Sequence, residues 1–235
     1  MELQIYGFRV STDGKVKIQS TKAGDLYVAQ GLPAGTVATL SGAGYQAMAT
    51  AAIAALVVRP STTAAFTLWN GESAGGKSYV IERVMCHQLV STAAQARFGI
   101  WLCSHPIGMA AVTADITAIK STSGKSAYGG SARLDNGATV ADDGWFPWGD
   151  SVDVEPTGVL PGAQISAEVN GRIIVPPTAG LSAHVVASLV GDTFTLGFHW
   201  YELQLDVAYE YYIGSNQSVG LYSQLGLCGV KIKGG

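Results

Sequence analysis

From residue 65 to residue 205 the chain falls into short apolar runs rich in Val, Ile, Thr, Phe, Tyr and Trp. The clearest are 65–70, 78–89, 96–104, 164–170, 172–175, 181–189 and 193–205. Glycine, proline or an Asn-Gly pair stands between most of them. β-Branched and aromatic side chains fit a pleated, half-buried surface, and glycine punctuation supplies the turns. Helical periodicity is scarce. The best helical candidate is the alanine-rich stretch 45–56, and even there Ala55-Leu-Val-Val-Arg59 reads as a strand before Pro60. Many strands without helical crossovers predict an all-β chain folded as an antiparallel β-sandwich. Eight strands in two sheets would make it a jelly roll. The core of that domain is placed at residues 50–205.

Turn chemistry refines the expectation. Asn170-Gly171 separates two apolar runs and predicts a two-residue hairpin. Asn70-Gly71 and Asn136-Gly137 mark further turns, and Pro176-Pro177 stops a strand because proline cannot donate to the ladder. In 193–205, Phe194, Leu196, Phe198 and Trp200 alternate onto one face, then Tyr201, Leu203 and Leu205 take the other parity. A bulge near Trp200 is expected, since one inserted residue flips the faces.

The flanks read differently. Residues 1–49 look like a separate short β element. Its hairpin-like stretches are 8–19 and 26–30, with Asp13-Gly14 and Gly24-Asp25 as turns. Residues 206–235 form a C-terminal extension carrying Tyr209, Tyr211, Tyr212 and Tyr222 with little charge. A free tail would be more polar, so this one is expected to pack on the domain or on a neighbouring subunit.

Charge narrows the function classes. Only 13% of residues are charged and 48% are hydrophobic, against about 25% charged in ordinary soluble domains. Such a surface suits a protein packed against neighbours. The net charge is -3 and the cations are scattered. Direct nucleic-acid binding, which needs clustered Lys and Arg, is not expected. The most apolar run, 51–58, is far shorter than the ~20 residues of a membrane helix, and MELQIYGFRV has neither the basic start nor the apolar core of a secretory leader. Cys86, Cys103 and Cys228 make no disulfide framework, so folding in a reducing cytoplasm is expected.

Several motifs suggest chemistry. Gly71-Glu-Ser-Ala-Gly-Gly-Lys-Ser78 fits the phosphate-loop spacing G-x-x-x-x-G-K-[ST]. That loop needs a helix after its lysine to hold the anion. The sequel Ser78-Tyr-Val-Ile-Glu-Arg-Val-Met85 reads as a strand, so a hairpin loop is the expectation. Cys86, His87, Cys103 and His105 could offer metal ligands, but Cys86 and His87 are strand neighbours and point to opposite faces. Cys103 with His105, or His87 or His184 with an aspartate, could form a catalytic dyad, though no nucleophile signature accompanies them.

The loop Ala141-Asp-Asp-Gly-Trp-Phe-Pro-Trp-Gly-Asp150, with Asp153 and Glu155 beyond, admits a calcium site without the spacing of an EF-hand loop. It also admits a carboxylate pair for glycoside hydrolysis. A third reading is a sugar platform built on Trp145 or Trp148, with Asp142 or Asp143 taking hydroxyls. A fourth is that its aromatics anchor the loop or a subunit contact, and this is preferred. The residues expected at an interface or ligand contact are therefore Trp145, Phe146, Trp148, Tyr209, Tyr211 and Tyr212. No catalytic residue, metal or cofactor is assigned.

Ala55-Leu-Val-Val-Arg-Pro60, Thr67-Leu-Trp-Asn-Gly71 with Gly76-Lys-Ser78, Asp143-Gly-Trp-Phe-Pro-Trp148, Ser151-Val-Asp-Val-Glu-Pro156, Gly171-Arg-Ile-Ile-Val-Pro-Pro177 and Thr193-Phe-Thr-Leu-Gly-Phe-His-Trp-Tyr-Glu202 occur in that order. This order, over about residues 55–205, resembles a group of poorly characterised virion-associated proteins of tailed bacteriophages. The resemblance implies a structural protein, not an enzyme. It points to an auxiliary capsid or decoration protein, assembled in the host cytoplasm and carried on the virion. Jelly-roll decoration proteins are often homotrimers, which makes a trimer on the major capsid protein the expected assembly. The alternative is a carbohydrate-binding receptor module of the particle, with a glycan as ligand of the Trp145/Trp148 loop.

Overall fold

The structure, a computed structural model, describes residues 6–8, 15–17, 34–90, 97–122, 127–155, 162–188 and 191–204. These fall into two units, divided between residues 32 and 33 and between 204 and 205. In the first unit β1 (Tyr6–Phe8) pairs antiparallel with β2 (Lys15–Lys17), Tyr6 opposite Lys17 and Phe8 opposite Lys15. The expected turns at Asp13-Gly14 and Gly24-Asp25 lie outside the described residues. The stretch 26–30 lies outside the described residues, as do Tyr209, Tyr211, Tyr212, Tyr222 and Cys228.

The second unit is the sandwich. Its eight principal strands are β3 (Gly44–Met48), β5 (Phe66–Asn70), β6 (Ser78–Val90), β7 (Arg97–His105), β10 (Phe146–Asp153), β11 (Gln164–Glu168), β13 (Gly180–Ala187) and β14 (Thr193–Leu203). Short strands β4 (Ile53–Ala54), β8 (Ile119–Lys120), β9 (Ala132–Asp135) and β12 (Ile174–Val175) extend the sheets. One sheet has the order β11-β6-β14-β3-β8, the other β10-β7-β13-β5-β9. Among the eight principal strands the chain changes sheet at every connection except that from β7 to β10. This wrapped antiparallel order is that of a jelly roll.

The inner faces form one core. Phe66 and Phe198 stack with centroids 5.2 Å apart, and Phe98 meets Phe194 at 4.6 Å. Both pairs join a strand of one sheet to β14 of the other. All four rings are essentially inaccessible, and offset aromatic pairs of this kind add to the area they bury.

Four expectations change. The alanine-rich stretch starting at Tyr45 begins as strand β3, paired with β14 from Gly197–Met48 to Tyr201–Gly44. Its burial alternates, with Tyr45, Ala47 and Ala49 buried and Met48 exposed, so cross-strand packing outweighs alanine's helix preference. The single α-helix among the described residues is α1 (Ala34–Leu40), directly after Pro33. It closes with a Schellman motif: Ala43 N–H donates to Ala38 O and Gly42 N–H to Thr39 O, both at 2.9 Å, with Gly42 at φ +80°. Residues 34–49 thus belong to the sandwich, and the domain border moves back from residue 50.

Asn170-Gly171 does form a tight turn, with φ of 50° and 73° and Arg172 N–H donating to Val169 O. It does not make a hairpin. β11 and β12, on either side of it, both pair with β6, through Glu168–Arg83 and Ile174–Val80. The long strand β6 templates both, and the turn is a buckle between them.

The irregularity near Trp200 exists, but its extra residue lies in β6. Register passes from His199–Arg83 to Trp200–Ile81, skipping Glu82. β14 therefore keeps its parity, and Phe198, Trp200 and Glu202 all face inward and are buried. Tyr128 Oη donates to Glu202 Oε1 at 2.8 Å, and Lys77 Nζ stands 3.7 Å from Oε2.

Burial raises the Glu202 carboxyl above its ordinary value of 4.5, against the opposing pull of Tyr128 and Lys77. The folded state therefore holds the proton more tightly than the unfolded chain. The stability this contributes is full below pH 4.5 and is lost as pH rises through the raised value. Glu202→Gln is expected to flatten that fall, as read from urea midpoints between pH 4 and 8.

Candidate functional site

The outer face of the five-stranded sheet carries an unusual set of side chains. On β13, Leu181, Ala183 and Val185 enter the core while Ser182 and His184 point outward; on β7, Leu102 goes in while Cys103 and His105 point outward. These outward groups are nevertheless buried. The excursion between β7 and β10 folds back over them, and Val112, Ala138, Val140 and Trp145 form a second small core with Ala64 and Cys103.

Beneath this cover runs a polar chain. Thr67 Oγ1 and Ser182 Oγ are 2.9 Å apart, Ser182 Oγ and His105 Nε2 2.8 Å, and His105 Nδ1 and Asp143 Oδ2 3.0 Å. The last three groups repeat the order of a Ser-His-Asp triad. Access tells against that chemistry. Ser182 has 0% exposure and the His105 side chain 1%, whereas the Asp143 side chain is 32% exposed.

A cleft of about 320 Å³ lies beside the chain, lined by His105, Ile107, Met109, Val140 and Asp143 among others. Ser182 is not in its wall. In this arrangement the hydroxyl sits behind the imidazole, and its neighbours Thr67 and His105 occupy it. The chain is a strut that seats the loop 139–145 on the sheet. Ser182→Ala leaves His105 Nε2 and Thr67 Oγ1 short of a buried partner. It is expected to cost about 1–3 kcal/mol in a urea titration.

The loop is fixed at further points. Arg59 grips Asp142 with two hydrogen bonds of 2.7 and 2.8 Å, and this fork holds the Asp142 carboxyl below its ordinary value. Trp145 is 5% exposed, donates from Nε1 to Ser61 O at 2.6 Å, and meets the His184 ring edge-on at 6.5 Å. Burial lowers the basicity of His184, partly opposed by the Val185 backbone. Burial also pushes up the Cys103 thiol, partly opposed by the Asp143 amide.

The other predicted aromatics lie on β10, an edge strand. Phe146 and Trp148 are half-buried, pack against the main core and meet each other edge-on at 5.9 Å. Trp148 Nε1 donates to Glu168 O on β11 at 3.3 Å, and Arg172 lies 5.7 Å over its ring. Trp148 therefore links the edges of the two sheets. Trp145 has no free ring face for a sugar, which leaves Trp148 as the one tryptophan of this loop with exposed surface.

The remaining motifs take ordinary places. Gly71–Ser78 is the turn between β5 and β6; a strand follows Lys77, and Lys77 faces Glu202. Asn70 ties the turn down by donating to Lys77 O and Val175 O and accepting from Glu72 N–H. Cys86 lies in the main core and Cys103 on the opposite sheet's outer face, so the four Cys and His candidates do not meet. No metal-ligating cluster occurs among the described residues. The acidic loop does not gather its carboxylates: Asp142 goes to Arg59, Asp143 to His105 and Asp153 to Arg97. No described helix is long and apolar enough to cross a membrane.

Ser182 and its neighbour Thr67 are the participants that sequence reasoning missed; the serine left a trace in the sequence. Its signal was the alternation Leu181-Ser-Ala-His-Val185, in which a polar second face sits within an otherwise apolar strand. No protein family, curated protein or solved structure matches this chain.

Proposed function

We propose that this chain is a structural protein of a tailed-bacteriophage particle, an auxiliary capsid protein that works by self-association and by binding the major capsid protein. The observation that carries the reading is an apolar edge on the sandwich. α1 packs along β3, and β8 pairs with β3 through Gln46–Ile119. Thr122 Oγ1, just after β8, donates to Thr39 O of α1. At this edge Leu40 is 60% and Ile119 62% exposed, and Val37 and Met48 are exposed beside them. Large apolar side chains grouped at an edge, on a chain with little charge, favour burial against another subunit.

A homotrimer is the assembly we favour, by analogy with jelly-roll decoration proteins, which are often trimers; a closed ring pairs this edge with a second surface of the next copy and leaves no free end. The phrase order from Ala55 to Glu202 supports a phage particle as the setting, with assembly in the host cytoplasm. The test is a microscope reconstruction of heads from phage with and without an intact gene for this chain. Ordered surface density that disappears with the gene agrees with the reading. Identical heads in both preparations contradict it.

A further inference from the structure

The cleft beside the strut takes no part in seating the loop, and its wall combines two kinds of chemistry. Its volume is about 320 Å³, at the low end of ligand pockets, which run from about 300 to 1,000 Å³. Pro106, Ile107, Met109 and Val140 make the wall apolar, and Asp143 is the one carboxylate in it. The Asp143 side chain keeps 32% exposure, and its Oδ2 stands 3.0 Å from His105 Nδ1. A neutral imidazole donating from Nδ1 leaves the carboxylate its charge. Arg59, beside the loop, goes to Asp142. The segment 106–110 is tied down within the chain. Gly108 N–H donates to Thr178 O at 3.1 Å and Trp69 Nε1 to Met109 O at 3.3 Å, and the Met109 sulfur fills the space that a side chain on Gly180 would take. The cleft is therefore preformed, as binding sites usually are.

We propose that this cleft takes a lysine side chain of a partner protein, its ammonium on Asp143 and its methylene stem along Ile107, Met109 and Val140. Charge and wall together select the occupant. Lysine carries a compact cationic donor on an apolar stem, the same pairing that the cleft offers in reverse. Arginine suits it less, because its planar fork grips both oxygens of a carboxylate and His105 holds one of them. An acidic side chain would meet Asp143 as a like charge. A leucine or methionine would cover the carboxylate without giving it a donor, at a cost. The rim favours a protein over a free amine. Ile107 is 47% exposed, and Pro106, Ala110, Thr139 and Ala141 are exposed around the opening. A surface wider than one side chain is thus on offer to the backbone that carries the lysine. The inference rests on the reading of this chain as one that binds another protein, but not on the α1–β3–β8 edge, which is built from other strands.

The probe is the capped tripeptide acetyl-Ala-Lys-Ala-amide, titrated into the full chain at pH 8, above the ordinary range of imidazole, while NMR follows the Met109 methyl group. The expected result is a saturable shift, with the norleucine and arginine versions of the peptide bound at least about fivefold more weakly, as the loss of a charge-assisted hydrogen bond requires. Asp143→Asn still accepts from His105 and is expected to bring the lysine peptide down to the norleucine level. An unmoved Trp145 indole proton shows that the loop stays seated in that variant. If it moves, Ile107→Ser decides, since it shortens the apolar wall and leaves the Asp143–His105 pair intact; it is expected to weaken the lysine peptide by at least about threefold. Four results overturn the proposal: no saturable shift at tens of millimolar, equal binding of the lysine and norleucine peptides, n-pentylamine bound as tightly as the lysine peptide, or wild-type binding in Ile107→Ser. Peptide binding without self-association would contradict the assembly reading alone, and self-association without peptide binding would contradict this site alone.

Discussion

Phe198→Ala is expected to lower the unfolding free energy by about 3–5 kcal/mol, the usual range for truncating a buried aromatic ring. Phe198 is wholly inaccessible and lies on β14, the strand between β6 and β3. Its ring stacks on Phe66 of the opposite sheet, so removal opens a cavity between the sheets and also strips Phe66 of its partner. Backbone pairing on both sides of β14 restrains collapse into that space. For a domain of this size the loss corresponds to roughly 6–20 °C in the melting midpoint. Leu89→Ala, at an exposed site on β6, serves as control and is expected to stay within about 0.5 kcal/mol. A loss below about 1 kcal/mol for Phe198→Ala would mean that the sheets do not pack through these rings.

The second large effect concerns association. The double variant Leu40→Asp, Ile119→Asp is expected to weaken self-association by at least about 100-fold. Each aspartate places an uncompensated charge in the proposed interface, where truncations of apolar anchors cost about 2 kcal/mol or more. Both side chains are largely exposed in the single chain, so circular dichroism and the urea midpoint of the dissociated subunit are expected to stay close to wild type. Sedimentation velocity over a dilution series measures the shift. Unchanged association in the double variant would move the interface away from the α1–β3–β8 edge.

The β class was legible because strand chemistry is local. Runs such as Phe66–Asn70 and Thr193–Leu203 announce themselves through residue type and alternation, and their glycine-bounded ends fall close to the observed ones. β3 and β10 were not legible. β3 is alanine-rich, and only its pairing with β14 makes it extended. β10, with Pro147, Gly149 and Asp150, has the composition of a loop. Such residues are tolerated on an edge strand, where one side of the ladder is unpaired and needs protection from stray partners.

The Asn170-Gly171 pair announces its local geometry correctly but misleads about topology. The pairing of the two arms of a turn depends on whether a third strand is long enough to take both, and β6 is. Glu202 was missed because a carboxylate at an inward position contradicts hydrophobic patterning. It is tolerated there because Tyr128 and Lys77 meet it. The triad-like chain was half visible. Cys103 and His105 share a face by strand spacing alone, but Ser182 and Asp143 arrive from distant parts of the chain, and such meetings are set by sheet order.

The preferred reading of the tryptophan loop was that its aromatics anchor the loop or a subunit contact. Trp145 and Trp148 are both used inside the subunit, the first under the loop and the second between sheet edges. The assembly proposal therefore rests on the α1–β3–β8 edge and not on that loop.

Sedimentation equilibrium of the purified full chain at micromolar concentration tests the claim of self-assembly most directly. The account predicts one homo-oligomeric species, about three times the 24.4 kDa of a single chain. A mass of one chain at every concentration tried would contradict it.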